Sequence, residues 1–133
     1  MTTLEKTISV FKEVMYLDEN EEVDVNKSLF LDYDMNSIDF IDFAFEIKKA
    51  FSLSVGTDDL WPVGKLATMS EYYDGTSQTW TEEGIKQLKL VLACSGQPVE
   101  LDPKTNVRSL YKYFSLEFVS RKIKELQNTE AVG

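Results

Sequence analysis

The chain has 133 residues, and its 14 Lys plus Arg against 23 Asp plus Glu give a formal net charge of −9 without any histidine. An acidic chain lacks the electrostatic footprint for nucleic-acid phosphates or anionic membranes, and without imidazole it has no Ser-His or Cys-His nucleophile pair and no histidine metal site. Its single cysteine, Cys94, cannot close an intramolecular disulfide, and we interpret it as a small buried side chain rather than a reactive thiol.

The negative charge is confined to the first half of the chain. Residues 1–61 hold 14 acids and 5 bases, a net charge of −9, whereas residues 62–133 hold 9 of each. No signal-peptide pattern opens the sequence, and no stretch approaches the ~18 apolar residues of a membrane span. We therefore expect a cytoplasmic protein with no membrane insertion.

Apolar residues at three- and four-residue spacing predict a first helix over residues 3–17 and a second over residues 37–51. The acidic segment between them, residues 18–27, is predicted to be a loop in which Val23 and Val25 turn back toward the core. Ser37 is a candidate N-cap for the second helix.

The second helix presents three faces when its residues are placed about 100° apart. The predicted core face has Phe43 at its margin and otherwise consists of Phe40, Ala44, Ile47 and Phe51. An acidic face contains Asp39, Asp42 and Glu46. A third, apolar strip consists of Ile38, Ile41 and Phe45, and it must be covered either by another part of this chain or by a partner.

The remaining sequence predicts three further helical segments and a long last helix. A short helix over 58–61 is capped by Thr57, another lies over 67–73, and a third begins after Thr81 and ends at Gly96. Thr105 or Asn106 caps the last helix, and the final six residues are expected to fray. With no alternating β pattern, we expect a single all-α domain of about five helices.

The acidic residues do not predict a metal site or a catalytic pair. Asp32, Asp34 and Asn36 match the opening of a calcium-binding EF-hand loop, but the sixth position is Ser37 rather than Gly and the twelfth is not Glu. The acidic face lies on one side of a helix, whereas two hydrolytic carboxylates must face each other across a cleft. We therefore predict no catalytic and no metal-binding residue; an enzyme using Asp34 and Asp39 is an alternative.

Residues 31–51, LDYDMNSIDFIDFAFEIKKAF, resemble the prosthetic-group segment of the acyl carrier proteins, D-x-G-x-D-S-L followed by an acidic helix. The resemblance implies an acyl-carrier-like helical bundle in which Ser37 receives 4′-phosphopantetheine covalently. Asn36 and Ile38 flank that serine in the places of the family's Asp and Leu. Asp34 occupies the place of the family's Gly, where the turn has to accept a side chain.

A closer similarity concerns the specialised carriers that deliver very long acyl chains to lipid A. It rests on the string SIDFID over residues 37–42, on Phe45 and Trp61, and on YFSLEFVSRKIKEL over residues 113–126. The similarity implies a carrier core over 1–61, an insertion with one extra helix over 62–104, and a closing helix over 105–128. A closing helix near 68–73, as in ordinary carriers, is the alternative.

The resemblance also implies what the protein does. It would be a monomeric carrier without catalysis of its own, primed by a phosphopantetheinyl transferase and serving acyl-carrier-dependent synthases and acyltransferases in fatty acid or lipopolysaccharide (lipid A) biosynthesis. Basic docking patches of those partners would meet Asp39, Asp42 and Glu46, with Ile41 and Phe45 as apolar contacts. The alternative is a protein-interaction module that keeps the carrier-like fold and is never primed.

Overall fold

A computed structural model describes residues 2–54 and 56–132, apart from the side chains of Thr57 and residues 129–132. The α-helices are α1 Thr3–Val14, α2 Ser37–Ala50, α3 Thr57–Leu60, α4 Val63–Leu66, α5 Glu82–Leu92 and α6 Leu116–Val132. Two 3-10 helices, η1 Ala93–Ser95 and η2 Val107–Tyr113, and a two-stranded hairpin, β1 Tyr73–Asp74 and β2 Thr79–Trp80, complete the described part of the chain. The predicted all-α class is confirmed.

Helix α1 begins with a capping box that its sequence encodes. The Thr2 hydroxyl accepts a hydrogen bond from the backbone N–H of Glu5 at 3.1 Å, and the Glu5 carboxylate accepts one from the N–H of Thr2 at 3.4 Å. The helix ends at Val14 rather than at the predicted residue 17, because Tyr16 adopts a left-handed φ of 57°. The following acidic loop turns Val23 and Val25 toward the core, as predicted.

Helix α2 packs on α1 through aromatic contacts. Phe43 is fully buried, and its ring centroid lies 6.1 Å from that of Phe11. The prediction that Phe43 lies at the margin of the core face was therefore wrong. Ala44 and Ile47 lie beside it, whereas Phe40 is only partly buried. The core face of α2 is therefore rotated toward Phe43 relative to the prediction.

The segment after α2 departs from the prediction in its helix limits. Gly56, not Thr57, is the N-cap of α3, and its N–H donates to the Asp59 carboxylate at 2.9 Å. The short helix expected over 67–73 lies earlier, at Val63–Leu66, directly after Pro62. A proline at a helix start loses no hydrogen bond, because the first N–H groups have no partner within the helix.

The β1–β2 hairpin was not predicted. Tyr73 pairs with Trp80 and Asp74 with Thr79, a ladder too short for alternation to be visible in the sequence. The Asp74 carboxylate accepts hydrogen bonds from the N–H groups of Thr76 and Ser77, at 2.9 and 3.4 Å, which lowers its pKa. The next helix, α5, has Thr81 as its N-cap, and its 3-10 extension ends at Gly96 with a φ of 71°, as predicted.

The predicted continuous last helix is wrong. Asn106 caps η2, as expected, but η2 ends at Tyr113 and Phe114 is extended, with φ −86° and ψ 90°. The Ser115 hydroxyl then accepts a hydrogen bond from the N–H of Phe118 at 3.1 Å, which starts α6 as a new helix. Helix α6 packs on α1 and α3 and extends to Val132, while fraying of the final six residues stays a prediction.

Candidate functional site

Ser37 is the first residue of α2 and is exposed to solvent. The N-cap is Asn36: its side-chain oxygen accepts from the N–H of Asp39 at 2.8 Å, and the Asp39 carboxylate accepts from the N–H of Asn36 at 3.2 Å. The prediction that Ser37 itself caps the helix was therefore wrong. Within residues 2–54 and 56–132, the Ser37 hydroxyl forms no hydrogen bond, so its oxygen is available for chemistry.

Asn36 supplies the same cap that an aspartate would supply at this position. The cap needs only a side-chain oxygen within reach of the first-turn N–H groups, and an amide oxygen satisfies that requirement as well as a carboxylate does. What Asn36 lacks is a negative charge next to Ser37. Replacement of the family's Asp by Asn36 thus preserves the helix start and changes the electrostatics of the serine.

The turn that leads to Ser37 is built without glycine. Asp34, in the place of the glycine of the resembled pattern, has a left-handed φ of 55°, which aspartate tolerates better than most residues. Upstream of it, the Asp32 carboxylate accepts a hydrogen bond from the N–H of Ser28 at 2.8 Å. The carboxylate that opened the apparent EF-hand motif is thus bonded to the backbone of its own loop.

The loop of residues 28–36 is held in place by the segment around η2. The buried Ser28 hydroxyl donates to the carbonyl of Tyr111 at 2.7 Å, and the N–H of Leu29 donates to the carbonyl of Phe114 at 2.8 Å. The Phe30 ring stacks on Phe114 at 4.8 Å with an interplanar angle of 19°, and it lies 4.8 Å from Tyr111. The approach to Ser37 therefore depends on residues far along the chain, which sequence periodicity did not reveal.

A cavity of about 380 Å³ lies beside Ser37. Most of its lining is apolar or aromatic, and the lining residues are Phe30, Leu31, Met35, Ser37, Phe40, Trp61, Arg108 and Tyr111. Trp61 and Phe40 each pack on the buried ring of Phe114, at 5.0 and 5.6 Å. A flexible group attached to Ser37 would thus have an apolar surface directly next to it.

The third strip of α2 is open in this structure. Ile38 is 69% exposed, Ile41 is 56% exposed and Phe45 is 55% exposed, so the alternative in which another part of the chain covers them was wrong. Asp42 is exposed beside the strip, and Glu46 forms an ion pair with Lys49 at 3.6 Å. These residues form one mixed apolar and acidic surface, with Asp39 engaged in the helix cap at its end.

The remaining candidate groups are not assembled into a site. Cys94 is half-buried, and burial together with its hydrogen bond to Glu125 at 3.3 Å raises the pKa of the thiol to about 11. In the part of the chain that the structure describes, no three acidic or thiol side chains come together to hold a metal ion. None of the described helices is long and apolar enough to cross a bilayer.

Comparison with known proteins gives one match. A family model described as a phosphopantetheine attachment site matches residues 5–73, which is more than half of the chain and includes Ser37. Proteins of that family carry 4′-phosphopantetheine covalently on a serine. No curated protein and no solved structure matched the chain. The matched region ends at the first residue of β1, so η2 and α6 lie outside it.

Proposed function

The chain belongs to the phosphopantetheine attachment site family, and from that membership we propose that Ser37 is the serine that bears its 4′-phosphopantetheine. The observation that carries the proposal is the geometry of Ser37: an exposed hydroxyl with no described hydrogen bond, at the first position of α2, inside the matched region. Because Asn36 performs the capping, the Ser37 oxygen can be modified without loss of the helix cap.

The surroundings of Ser37 fit a phosphodiester with a flexible arm. The first N–H groups of α2 have no carbonyl partner within the helix and favour a negative charge at this end. In the priming reaction the Ser37 oxygen would displace the nucleotide part of coenzyme A from phosphorus and lose its proton. Once attached, the group supplies a terminal thiol that holds an acyl chain as a thioester.

We propose that the protein acts as a carrier and leaves catalysis to its partners. Carriers of this kind interact with phosphopantetheinyl transferases and with acyl-handling enzymes in general. The surface formed by Ile38, Ile41, Phe45, Asp42 and Glu46 suits brief contact with basic patches on such enzymes. Long-range attraction speeds the encounter, while the small apolar area keeps the complex short-lived.

The pathway is a narrower proposal. The SIDFID string over residues 37–42 and the aromatic lining of the cavity favour a carrier of long acyl chains, for lipid A or for fatty acid biosynthesis. We also propose a cytoplasmic monomer, with residues 1–61 as the carrier core. The proposed carrier role rests on Ser37, whereas the proposed pathway rests on the resemblance of residues 37–42 to carriers of long acyl chains.

Priming with coenzyme A tests the attachment site. The full chain is incubated with several phosphopantetheinyl transferases, and intact mass should rise by one phosphopantetheinyl group. The Ser37→Ala variant should show no gain. Ser9→Ala is the matched control, because Ser9 is also an exposed helical serine within residues 5–73, and this variant should be primed like the unaltered protein.

The competing function is an unprimed protein-interaction module. It predicts that no transferase changes the mass and that Ser37→Ala binds partners as tightly as the unaltered protein. These two results together would exclude the carrier function, since a carrier requires its arm. A mass gain on Ser37 would exclude the module.

A further inference from the structure

The cavity beside Ser37 has one charged residue in its lining, Arg108. Arg108 belongs to η2, outside the matched region of residues 5–73, so the family model does not account for it. Arg108 is exposed, so its charge remains in contact with solvent and can meet an anion that enters the cavity.

Arg108 has no anionic partner among the residues that the structure describes. The other arginine of the chain, Arg121, donates its Nε hydrogen to the Glu117 carboxylate at 2.8 Å. Arg108 is exposed, and its guanidinium forms no ion pair or hydrogen bond with any residue in the described ranges 2–54 and 56–132. All of its side-chain donors are therefore available to an incoming anion.

The backbone that carries Arg108 is firmly placed next to the Ser37 loop. Asn106 caps η2 by accepting from the N–H of Ser109 at 2.8 Å, and Leu110 is buried. The carbonyl of Tyr111, in the same 3-10 helix, accepts the hydrogen bond from the buried Ser28 hydroxyl at 2.7 Å. The η2 helix and the loop before Ser37 thus pack against each other, which places Arg108 at the cavity that Ser37 lines.

We propose that Arg108 binds the phosphodiester formed on Ser37 and so positions the arm over the cavity. The inference rests on the proposed function of Ser37. A phosphodiester carries one negative charge and two non-bridging oxygens, and the planar guanidinium fork can donate to both oxygens at once. The C-terminal half of the chain would then complete the attachment site instead of serving only as a structural addition.

The test uses ³¹P NMR of the primed full-length protein, which reports the phosphodiester itself and not carrier activity. Three variants are compared with the unaltered protein: Arg108→Gln, which removes the charge; Arg108→Lys, which keeps the charge without the fork; and Lys104→Gln as a charge-matched control. Lys104 is exposed, lies in the same segment and does not line the cavity. Intact mass first establishes that each protein carries one arm.

Arg108→Gln should move the phosphodiester resonance by more than its line width and make it sharper, because the phosphate gains mobility. Arg108→Lys should give an intermediate position, and Lys104→Gln should leave the resonance unchanged. About 1 M salt, where the Debye length falls to ~3 Å, should move the resonance of the unaltered protein toward the Arg108→Gln value.

A resonance that is identical in the unaltered protein and in Arg108→Gln, with normal mass gain in both, would overturn the role of Arg108 and leave the attachment site standing. An equal shift in Lys104→Gln would also overturn it, since the effect would then be one of general charge. No mass gain in the unaltered protein would overturn both proposals, because no phosphodiester would exist for Arg108 to bind.

Discussion

Replacement of Phe114 by alanine should destabilise the protein more than any exposed aromatic replacement. Phe114 is fully buried between η2 and α6, and its ring contacts four other aromatic rings, those of Phe30, Phe40, Trp61 and Phe118, at centroid distances of 4.8 to 5.7 Å. A buried Phe→Ala change costs about 3–5 kcal/mol, because the transfer free energy of the ring is lost and a cavity remains. We expect a loss in this range.

The assay is urea unfolding followed by circular dichroism, with Phe45→Ala as the matched control. Phe45 is 55% exposed on α2, so the same chemical change should cost less than about 1 kcal/mol there. Phe114→Ala should also loosen the loop before Ser37, since Phe30 stacks on this ring, and it should slow priming. Equal losses in the two variants, or a loss below about 1 kcal/mol for Phe114→Ala, would refute this account of the core.

Four further predictions concern single positions. Ser28→Ala removes a buried hydroxyl that donates to the backbone at 2.7 Å and should lower the unfolding free energy by about 1–3 kcal/mol in urea titration; an unchanged midpoint would contradict this. Gly84→Ala should lower the melting temperature markedly, because its Cβ would lie 2.0 Å from the Tyr72 carbonyl oxygen, and a melting curve like that of the unaltered protein would refute that contact. The pKa of the Cys94 thiol is raised to about 11, so at pH 8 it should react with iodoacetamide on the order of 100-fold more slowly than the same thiol in the urea-unfolded chain. The reaction rate of the folded protein should rise as the pH approaches 11. Equal rates in the folded and unfolded chains would show that the thiol is not shielded. Asp42→Lys should weaken the binding of a basic partner enzyme and make that binding less dependent on salt, and it should leave the helix cap intact. If the salt dependence of binding is unchanged, the acidic surface is a solubility feature only.

Local patterns predicted the first two helices and α5 because their signals lie within a few residues. Thr81 marks the start of α5, and Gly96 marks the end of its 3-10 extension. Helix α2 begins at Ser37, as the apolar periodicity indicated. The identity of the cap was missed, since Asn36 and Ser37 are both good N-caps and only the backbone conformation distinguishes them.

The C-terminal half was harder to predict because its breaks depend on tertiary contacts. Residues 107–126 have helical periodicity throughout, yet Phe114 is extended and its carbonyl accepts the N–H of Leu29 at 2.8 Å. The gain from burying the Phe114 ring and from this distant hydrogen bond outweighs continuous helix formation. For the same reason, no local pattern could place Arg108 and Tyr111 beside Ser37.

The candidate site also has features that the sequence predicted and features that only the structure revealed. The resemblance of residues 31–51 predicted an accessible serine at a helix start and a turn that accepts a side chain at Asp34, and both are present. The sequence predicted the apolar strip on α2, but only the structure showed that the chain leaves this strip exposed. The cavity and its arginine arise from the packing of η2 against the loop before Ser37, which no segment encodes alone.

The most direct measurement of the central claim is the mass of the protein isolated from its own host, with peptide mapping of the modified residue. We predict one phosphopantetheinyl group on the peptide that contains Ser37, with an acyl chain on its thiol in part of the population. Unmodified protein alone, or an arm on any other serine, would contradict the claim that Ser37 is the attachment site of a carrier.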